Sequence, residues 1–299
     1  MKQTTEAAYA KINLCLDIVG RRENGYHELD GVMQSITLCD LLTVRYEASE
    51  ERTVSMTAQG NPDMPTDGRN LAVKAAALFL ETVGLGGRVE IELQKRIPMA
   101  GGLAGGSTDA AAVLRALNRL TEKELSAEDL CVLGARLGAD VPFCIVGGAQ
   151  RTQGIGDVLT PVPPMPDCHI VIARRGEGVS TPWAYGRLDE IYNGFSKAST
   201  RPDSGFPRLL EALQNGFLEG VCETVYNIFE PIVAECRPDV SLLCSMMTEH
   251  GASVARMSGS GPSVFGIFSE ERDAKNACEA LQKAGAEAFA CAPMPKEFF

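Results

Sequence analysis

Positive charge is scarce in this 299-residue chain: 28 lysines and arginines stand against 39 aspartates and glutamates, a formal net charge of −11. A surface of that sign repels nucleic acid and anionic membrane, so neither is an expected partner, while a local basic pocket for a small anion stays open. No uninterrupted apolar run approaches the roughly 18 residues that span a bilayer. The opening residues MKQTTEAAYAKINL lack the hydrophobic stretch of a secretory signal, and the expected location is cytoplasmic. Ten cysteines are scattered from Cys15 to Cys291 without a C-x-x-C pair, and His27, His169 and His250 form no H-E-x-x-H motif, which argues against a zinc site. The cysteines read instead as small buried hydrophobes. Internal repeats and low-complexity tracts are also missing. What remains is an ordinary globular composition, 45% hydrophobic and 22% charged, long enough for about two domains.

The stretches LLTVRYEA, RTVSMTAQ and GRVEIELQKRI alternate with period two and predict antiparallel strands of an N-terminal sheet. Between them RNLAVKAAALFLETVG predicts a helix stopped at Gly84. A second helix is expected from Ala110 onward. A third follows in SAEDLCVLGARLG, with Ser126 and Asp129 spaced as a capping box and Gly138 as its end. Asp140 is then followed by Val141-Pro142 and an apolar strand. The proline-rich LTPVPPMPD is a connector, and CHIVIARR a strand opening a second half, giving a boundary near residue 162: 1–162 and 163–299. SKASTRPDSGFP reads as an exposed loop between helices. The C-terminal stretch from ASVARM to AEAFACAP alternates strand, turn, strand, helix and strand, the pattern of an α+β unit.

The densest signal is PMAGGLAGGSTDAAAVL, with four glycines in six positions ahead of a helix. A helix N-terminus exposes unpaired N–H groups and about half a positive charge, so bare backbone there can wrap a phosphate. The stretch has no Walker A lysine before Ser107, and it lacks G-x-G-x-x-G. A tight packing turn is the alternative. The hydroxyls of Ser107 and Thr108 are placed either to cap the helix or to contact a phosphate and its metal.

Four further residues or pairs admit two readings each. Lys11 lies in an apolar strand with Ile12, Leu14 and Leu16, and either reaches solvent along its stem or meets a fixed partner, with Asn13 on the same face. Tyr26 and His27 follow the Asn24-Gly25 turn and form either a packing lid or a platform for a planar base. Asp140 either caps the next turn or accepts a proton in a dry cleft. Gly259-Ser260-Gly261-Pro262 is a hairpin turn, or the wall that faces the first glycine stretch.

These segments, in this order, resemble the GHMP kinases, the family of galactose, homoserine, mevalonate and phosphomevalonate kinases. The likeness runs over essentially the whole chain, including EGVSTPWAYGRLD and VYNIFEPIV. It implies an α+β, two-domain fold with the active-site cleft between the domains, an N-terminal ATP-binding domain and a C-terminal α/β sandwich. It also implies ATP and Mg²⁺ as cofactors. AKINLCLDIVGRRENGYHELDGVMQSITLCD and GADVPFC are similar to the branch acting on a cytidine-diphosphate-linked methylerythritol in the non-mevalonate isoprenoid pathway. By that resemblance Asp140 is the catalytic base and Lys11 steadies it. The stretch Pro98, Met99, Ala100, Gly101, Gly102, Leu103, Ala104, Gly105, Gly106, Ser107 and Thr108 cradles the ATP phosphates, with Ser107 near Mg²⁺. Tyr26 and His27 hold the cytosine, Asn13 lies beside the acceptor, and Thr181 is a substrate-side residue. One departure stands out. The family usually follows VGG with a Thr-Ala pair and later a G-x-G-E, where this chain has Ala149 to Thr152 and GIGD.

Overall fold

A computed structural model describes residues 1–192 and 205–294. Most of the expected loop SKASTRPDSGFP lies outside the described residues, and its end, Phe206 and Pro207, already begins a helix. Two long strands organise the N-terminal half: β1 (Lys2–Arg21) and β2 (His27–Glu47) pair antiparallel along their whole length. β2 then changes neighbours. Its far half, from Leu41, pairs with β4 (Gly87–Gln94), and its near half, Leu29–Gln34, with β5 (Ala149–Gly154), which pairs in turn with β6 (Val158–Pro161).

The expected all-antiparallel arrangement is corrected at one edge. β3 (Arg52–Gln59) runs parallel to β4. A parallel pair needs a crossover, and α1 (Leu71–Thr82), capped by Asn70, supplies it. Alternation within a strand reports burial of one face and carries no information on direction.

Helix α2 (Gly105–Thr121) starts five residues earlier than expected and lays an alanine-rich face on the sheet. Ala110, Ala111, Ala112 and Ala116 are fully buried, and such small side chains let helix and strands approach closely. α3 (Ala127–Ala135) carries the expected capping box and ends three residues before Gly138. VPFCIV is a helix, α4 (Val141–Val146), and the expected strand is corrected. Pro142 sits in its first turn, where a missing N–H costs nothing, and an apolar run of six has no periodicity to separate the two states.

The second sheet, in the order β11-β7-β10-β9, is antiparallel throughout: β7 (His169–Arg174), β9 (Val254–Met257), β10 (Val264–Phe268) and β11 (Glu287–Cys291). Around it lie α5 (Thr181–Ile191), α6 (Phe206–Gln214), α7 (Leu218–Thr224), α8 (Glu230–Cys236), α9 (Pro238–Glu249) and α10 (Glu271–Lys283). The chain leaves the first sheet at Pro161 and enters the second at His169, and it touches the first again where Pro293 bridges Ile36 of β2 and at one short strand. β8 (Tyr226–Asn227) pairs parallel with β1 at Cys15 and Leu16. Apolar side chains of β1, β2, β7 and β10, among them Ile12, Ile36, Ile170 and Phe265, share one core, so the two sheets are bonded through buried surface. Among the described residues no helix is long and apolar enough to cross a membrane.

Candidate active site

A cleft of about 670 Å³ is lined by residues of the first sheet, of both glycine loops and of α5, with Phe229. At one end the first loop winds through left-handed backbone at Ala100, Gly102 and Ala104 before entering α2. Ala104 is the N-cap and has no side chain able to cap, so the first N–H groups of α2, at Gly105, Gly106 and Ser107, open toward the cleft without a capping side chain. The second loop lies directly against the first. Ser263 N–H donates to the Gly101 carbonyl at 3.2 Å, and Ser258 Oγ to the Gly102 carbonyl at 3.0 Å. A Cβ on Gly102 would stand 2.0 Å from the Ser258 carbonyl oxygen, so only glycine fits there.

Of the eleven residues read as a phosphate cradle, Ala100, Gly101, Gly102, Ala104, Gly105, Gly106 and Ser107 line the cleft, and four do not. Pro98 is buried, and Leu103 is buried in the shared core. The Met99 carbonyl is taken by Arg174. Thr108 is fully buried, its hydroxyl donating to the Tyr9 carbonyl at 2.8 Å, so it fastens α2 to β1 and faces no ligand. Neither hydroxyl caps the helix, because both lie inside its first turn.

Beneath this loop lies a charged cluster that no local pattern announced. Lys95 Nζ donates to Asp40 Oδ2 at 2.5 Å and to Asp109 Oδ2 at 2.8 Å, all three side chains being almost fully buried. It joins β2, the end of β4 and α2. A Cβ on Gly105 would approach Lys95 Nζ to 3.0 Å, which puts the ammonium directly under the helix start. Burial away from water pushes the Asp109 carboxyl up to about 7, against the pull of Lys95.

Midway along the cleft the two readings of Lys11 are decided. It is only 4% exposed, so it does not reach along its stem to solvent. Nζ donates to Asn13 Oδ1 at 2.7 Å and to the Gly102 carbonyl at 3.0 Å. The β1–β2 register shifts on either side of Lys11 to Asn13, and such irregularities re-aim side chains out of a regular ladder. Asp140 occupies the N-cap position of α4 but makes no side-chain cap bond, which removes the capping reading and leaves its carboxylate on the cleft wall. Both charges reach the buried thiol of Cys144. Burial drives that thiol far above its ordinary range, Asp140 raises it further, and Lys11 opposes.

The other end of the cleft is built from side chains. Gly25 takes positive φ in the turn between β1 and β2, and Tyr26 stands out from it, 60% exposed. His27 opens β2, and its Nε2 lies 2.7 Å from Asp189 Oδ1 on α5. Tyr185, one turn earlier on α5, places its ring 4.8 Å from the imidazole and packs edge-on against Phe229. Burial, then the charge of Asp140, pushes the Tyr185 phenol well above its usual range. Thr181 begins α5, and its hydroxyl meets that of Ser260 on the second glycine loop at 2.8 Å. In the segments that depart from the family pattern, Arg151 forms a two-pronged ion pair with Asp30 at 2.9 Å, while Thr152, Ile155 and Gly156 face the cleft.

With two glycine loops, a helix start, a lysine and a carboxylate on one cleft, comparison with known proteins is decisive. The family model "GHMP kinases N terminal domain" matches residues 70–148, and "GHMP kinases C terminal" matches 209–287. The chain is 41% identical to 4-diphosphocytidyl-2-C-methyl-D-erythritol kinase of Alkaliphilus metalliredigens, covering 94% of this chain and 93% of that one. This chain belongs to the GHMP kinase family. The enzyme of the same name from Caldicellulosiruptor saccharolyticus is 39% identical over 98% and 97% of the two chains. A crystal structure of 4-(cytidine 5'-diphospho)-2C-methyl-D-erythritol kinase superposes with a TM-score of 0.79 at 34% identity, covering 97% and 99%. Homoserine kinase from Cytophaga hutchinsonii, at 19% identity and a TM-score of 0.74, shares the fold.

As a GHMP kinase the protein is a phosphotransferase that draws its phosphoryl group from ATP. Several residues in or beside this kinase's cleft were given no role by local sequence patterns. Tyr185 lines the cleft and Asp189 stands beside it, both within the quoted stretch EGVSTPWAYGRLD, of which only Thr181 was singled out; an aromatic four residues after Thr181 was the available signal. Ser258 and Ser260 were inside a noticed turn. Nothing in the sequence near Asp189 links it to His27, 162 positions away.

Proposed function

We propose that this kinase phosphorylates the tertiary 2-hydroxyl of 4-(cytidine 5'-diphospho)-2-C-methyl-D-erythritol, a step of the non-mevalonate route to isoprenoid precursors. The observation that carries the reading is the order of groups along one cleft. Bare backbone at the helix start adjoins Lys11 through the Gly102 carbonyl, Lys11 and Asp140 share the neighbourhood of Cys144, and Asp140 in turn neighbours Tyr185, which packs on His27 beside Tyr26. Such a row suits a molecule that presents a γ-phosphate, a hydroxyl and a planar base in succession. Residues 1–162 act as the ATP-binding domain and 163–299 as its partner.

The N–H groups of Gly105, Gly106 and Ser107 face the ATP phosphates, and the glycines of the loop admit them closely. Asp140 accepts the hydroxyl proton as the acceptor oxygen bonds to the γ-phosphorus, and the bond to the β-phosphate oxygen breaks to release ADP. Lys11 neutralises charge developing between the two, its orientation held by Asn13 and the Gly102 carbonyl. Asn13 also borders the acceptor, and Thr181 closes the wall on its side. Tyr26 and Tyr185 offer ring faces to the cytosine.

The donor set suits Mg²⁺. The Ser107 hydroxyl and the Asp140 carboxylate are hard oxygen donors, and Mg²⁺ is usually held by one or two protein oxygens with phosphates and water filling the rest. Ser107 would hold it, and it would offset negative charge on the phosphates. The test is a panel: ATP, Mg²⁺ and equal concentrations of the cytidyl-methylerythritol, mevalonate, homoserine and galactose, read by mass spectrometry of the products. A phosphorylated cytidyl product alone is expected. Preferred phosphorylation of any other acceptor overturns the proposal.

A further inference from the structure

The hairpin that carries Tyr26 and His27 meets α5 at the Tyr185 ring and at one carboxylate, Asp189. Arg21, the last residue of β1, and His27, the first of β2, are cross-strand partners at the mouth of the turn. Both reach Asp189. His27 Nε2 meets Oδ1 at 2.7 Å, and Arg21 Nη1 lies 3.5 Å from Oδ2. Arg21 also donates from Nε to the Gly25 carbonyl at 3.2 Å, inside the turn. The turn is braced further by Arg22 N–H on the Tyr26 carbonyl at 2.7 Å and by Tyr26 N–H on Asn24 Oδ1 at 3.2 Å. Asp189 therefore meets both strands of the hairpin at the mouth of its turn.

It does so from a well-anchored helix. Tyr185 and Asp189 are four residues apart on α5 and so share a face. The first addresses the imidazole by its plane and the second by its edge. Tyr185 is itself fixed, 4.9 Å from the buried Phe229. At its start α5 is tied to the second glycine loop by the Thr181–Ser260 contact. At 1.5 Å per residue Thr181 and Asp189 stand about 12 Å apart, so one helix touches both the phosphate-side wall and the base-side hairpin.

We propose that Asp189 is a positioning and specificity-determining residue that acts through His27, which rests on the reading of this end of the cleft as the cytosine site. A carboxylate only accepts hydrogen bonds, so in this pair Nε2 carries the imidazole proton. Tautomer and ring orientation are then both set, as carboxylates set the imidazoles that bind metals. Cytosine and uracil differ by exchange of donor and acceptor at two adjacent ring positions. A histidine held in one state, on a hairpin held at one distance, discriminates between them, and a loose one does not. A site whose polar groups would be left unpaired by the wrong ligand is the stronger discriminator.

Three readouts test this. In Asp189→Asn the KM for the cytidyl substrate should rise about tenfold, while kcat at saturation and the KM for ATP change less than threefold. The preference for the cytidyl over the uridyl analogue should narrow by a similar factor. Because Asp189 acts through His27, the double variant His27→Ala/Asp189→Asn should have the KM of His27→Ala alone, whereas a purely structural Asp189 would make the effects multiply. Should Asp189→Asn unfold, the wild-type protein still answers: nitrogen-15 NMR of its three histidines at pH 8 should find His27 as the Nε2–H tautomer. An Nδ1–H tautomer, multiplying effects or an unchanged cytidyl preference in Asp189→Asn overturns the inference. Failure of the wild-type enzyme to phosphorylate the cytidyl substrate at all would instead sink the function proposed for the cleft.

Discussion

The two ends of the cleft are made from different materials. The end proposed for phosphate is backbone: left-handed turns, the open N–H groups of α2 and two loops in contact through Gly101, Gly102 and Ser258. The end proposed for the acceptor is side chain: an exposed tyrosine, a histidine held by a distant aspartate, and a ring packed on Phe229. Backbone recognises what every nucleoside triphosphate shares, so it suits a donor common to a whole family. Side chains from separate elements recognise what is particular to one acceptor. Kinases of 14–19% identity share the fold with TM-scores of 0.61 to 0.74, and a shared fold leaves the site free to differ.

The sharpest way to break this contrast is to attack the phosphate end from below. Lys95→Met leaves Asp40 and Asp109 facing each other in the core, and removing one partner of such a pair costs about 3–5 kcal/mol. Urea unfolding should register that loss, with ATP affinity falling beside it. Lys11→Met should lower kcat by about 10²–10³, the usual effect of removing one preorganised donor, with the melting temperature little changed; rapid-quench turnover reads it. Gly102→Ala should destabilise by about 2–3 kcal/mol, combining left-handed backbone strain with the clash against Ser258. At the other end Tyr26→Ala should raise the KM for the cytidyl substrate about tenfold, as loss of a stacked ring implies, and leave the KM for ATP alone. A matching rise in both constants would dissolve the distinction between the ends.

A further effect concerns pH. The folded-state pKa of Asp109 lies above its unfolded value of about 3.9, so the folded chain binds the extra proton and the contribution of this group to stability falls as pH rises from about 4 to about 7. Asp109→Asn should show a flatter change in urea midpoint than wild type between pH 5 and pH 8.

The same division of materials explains what could be read before any coordinates. Glycines written next to a helix are a statement about backbone, and the first loop, α2 and the turn at Gly25 were legible for that reason. Lys11 was not, because its burial is decided by the Gly102 carbonyl, 91 positions away. Thr108 resembled Ser107 in sequence, but one residue of helix rotation turned its hydroxyl onto Tyr9. The parallel pairing of β3 and the helical VPFCIV escaped because strand direction and short apolar runs are settled by neighbours. Asp189, at a half-exposed helix position, carries no mark of its own.

The proposed chemistry lies between the two ends, at Asp140. It is tested most directly by measuring ATP affinity and single-turnover phosphorylation of the cytidyl acceptor in Asp140→Asn. Loss of a positioned base lowers the rate by about 10²–10⁴; the account predicts a fall in that range with ATP binding within threefold of wild type. Turnover near the wild-type rate would contradict it.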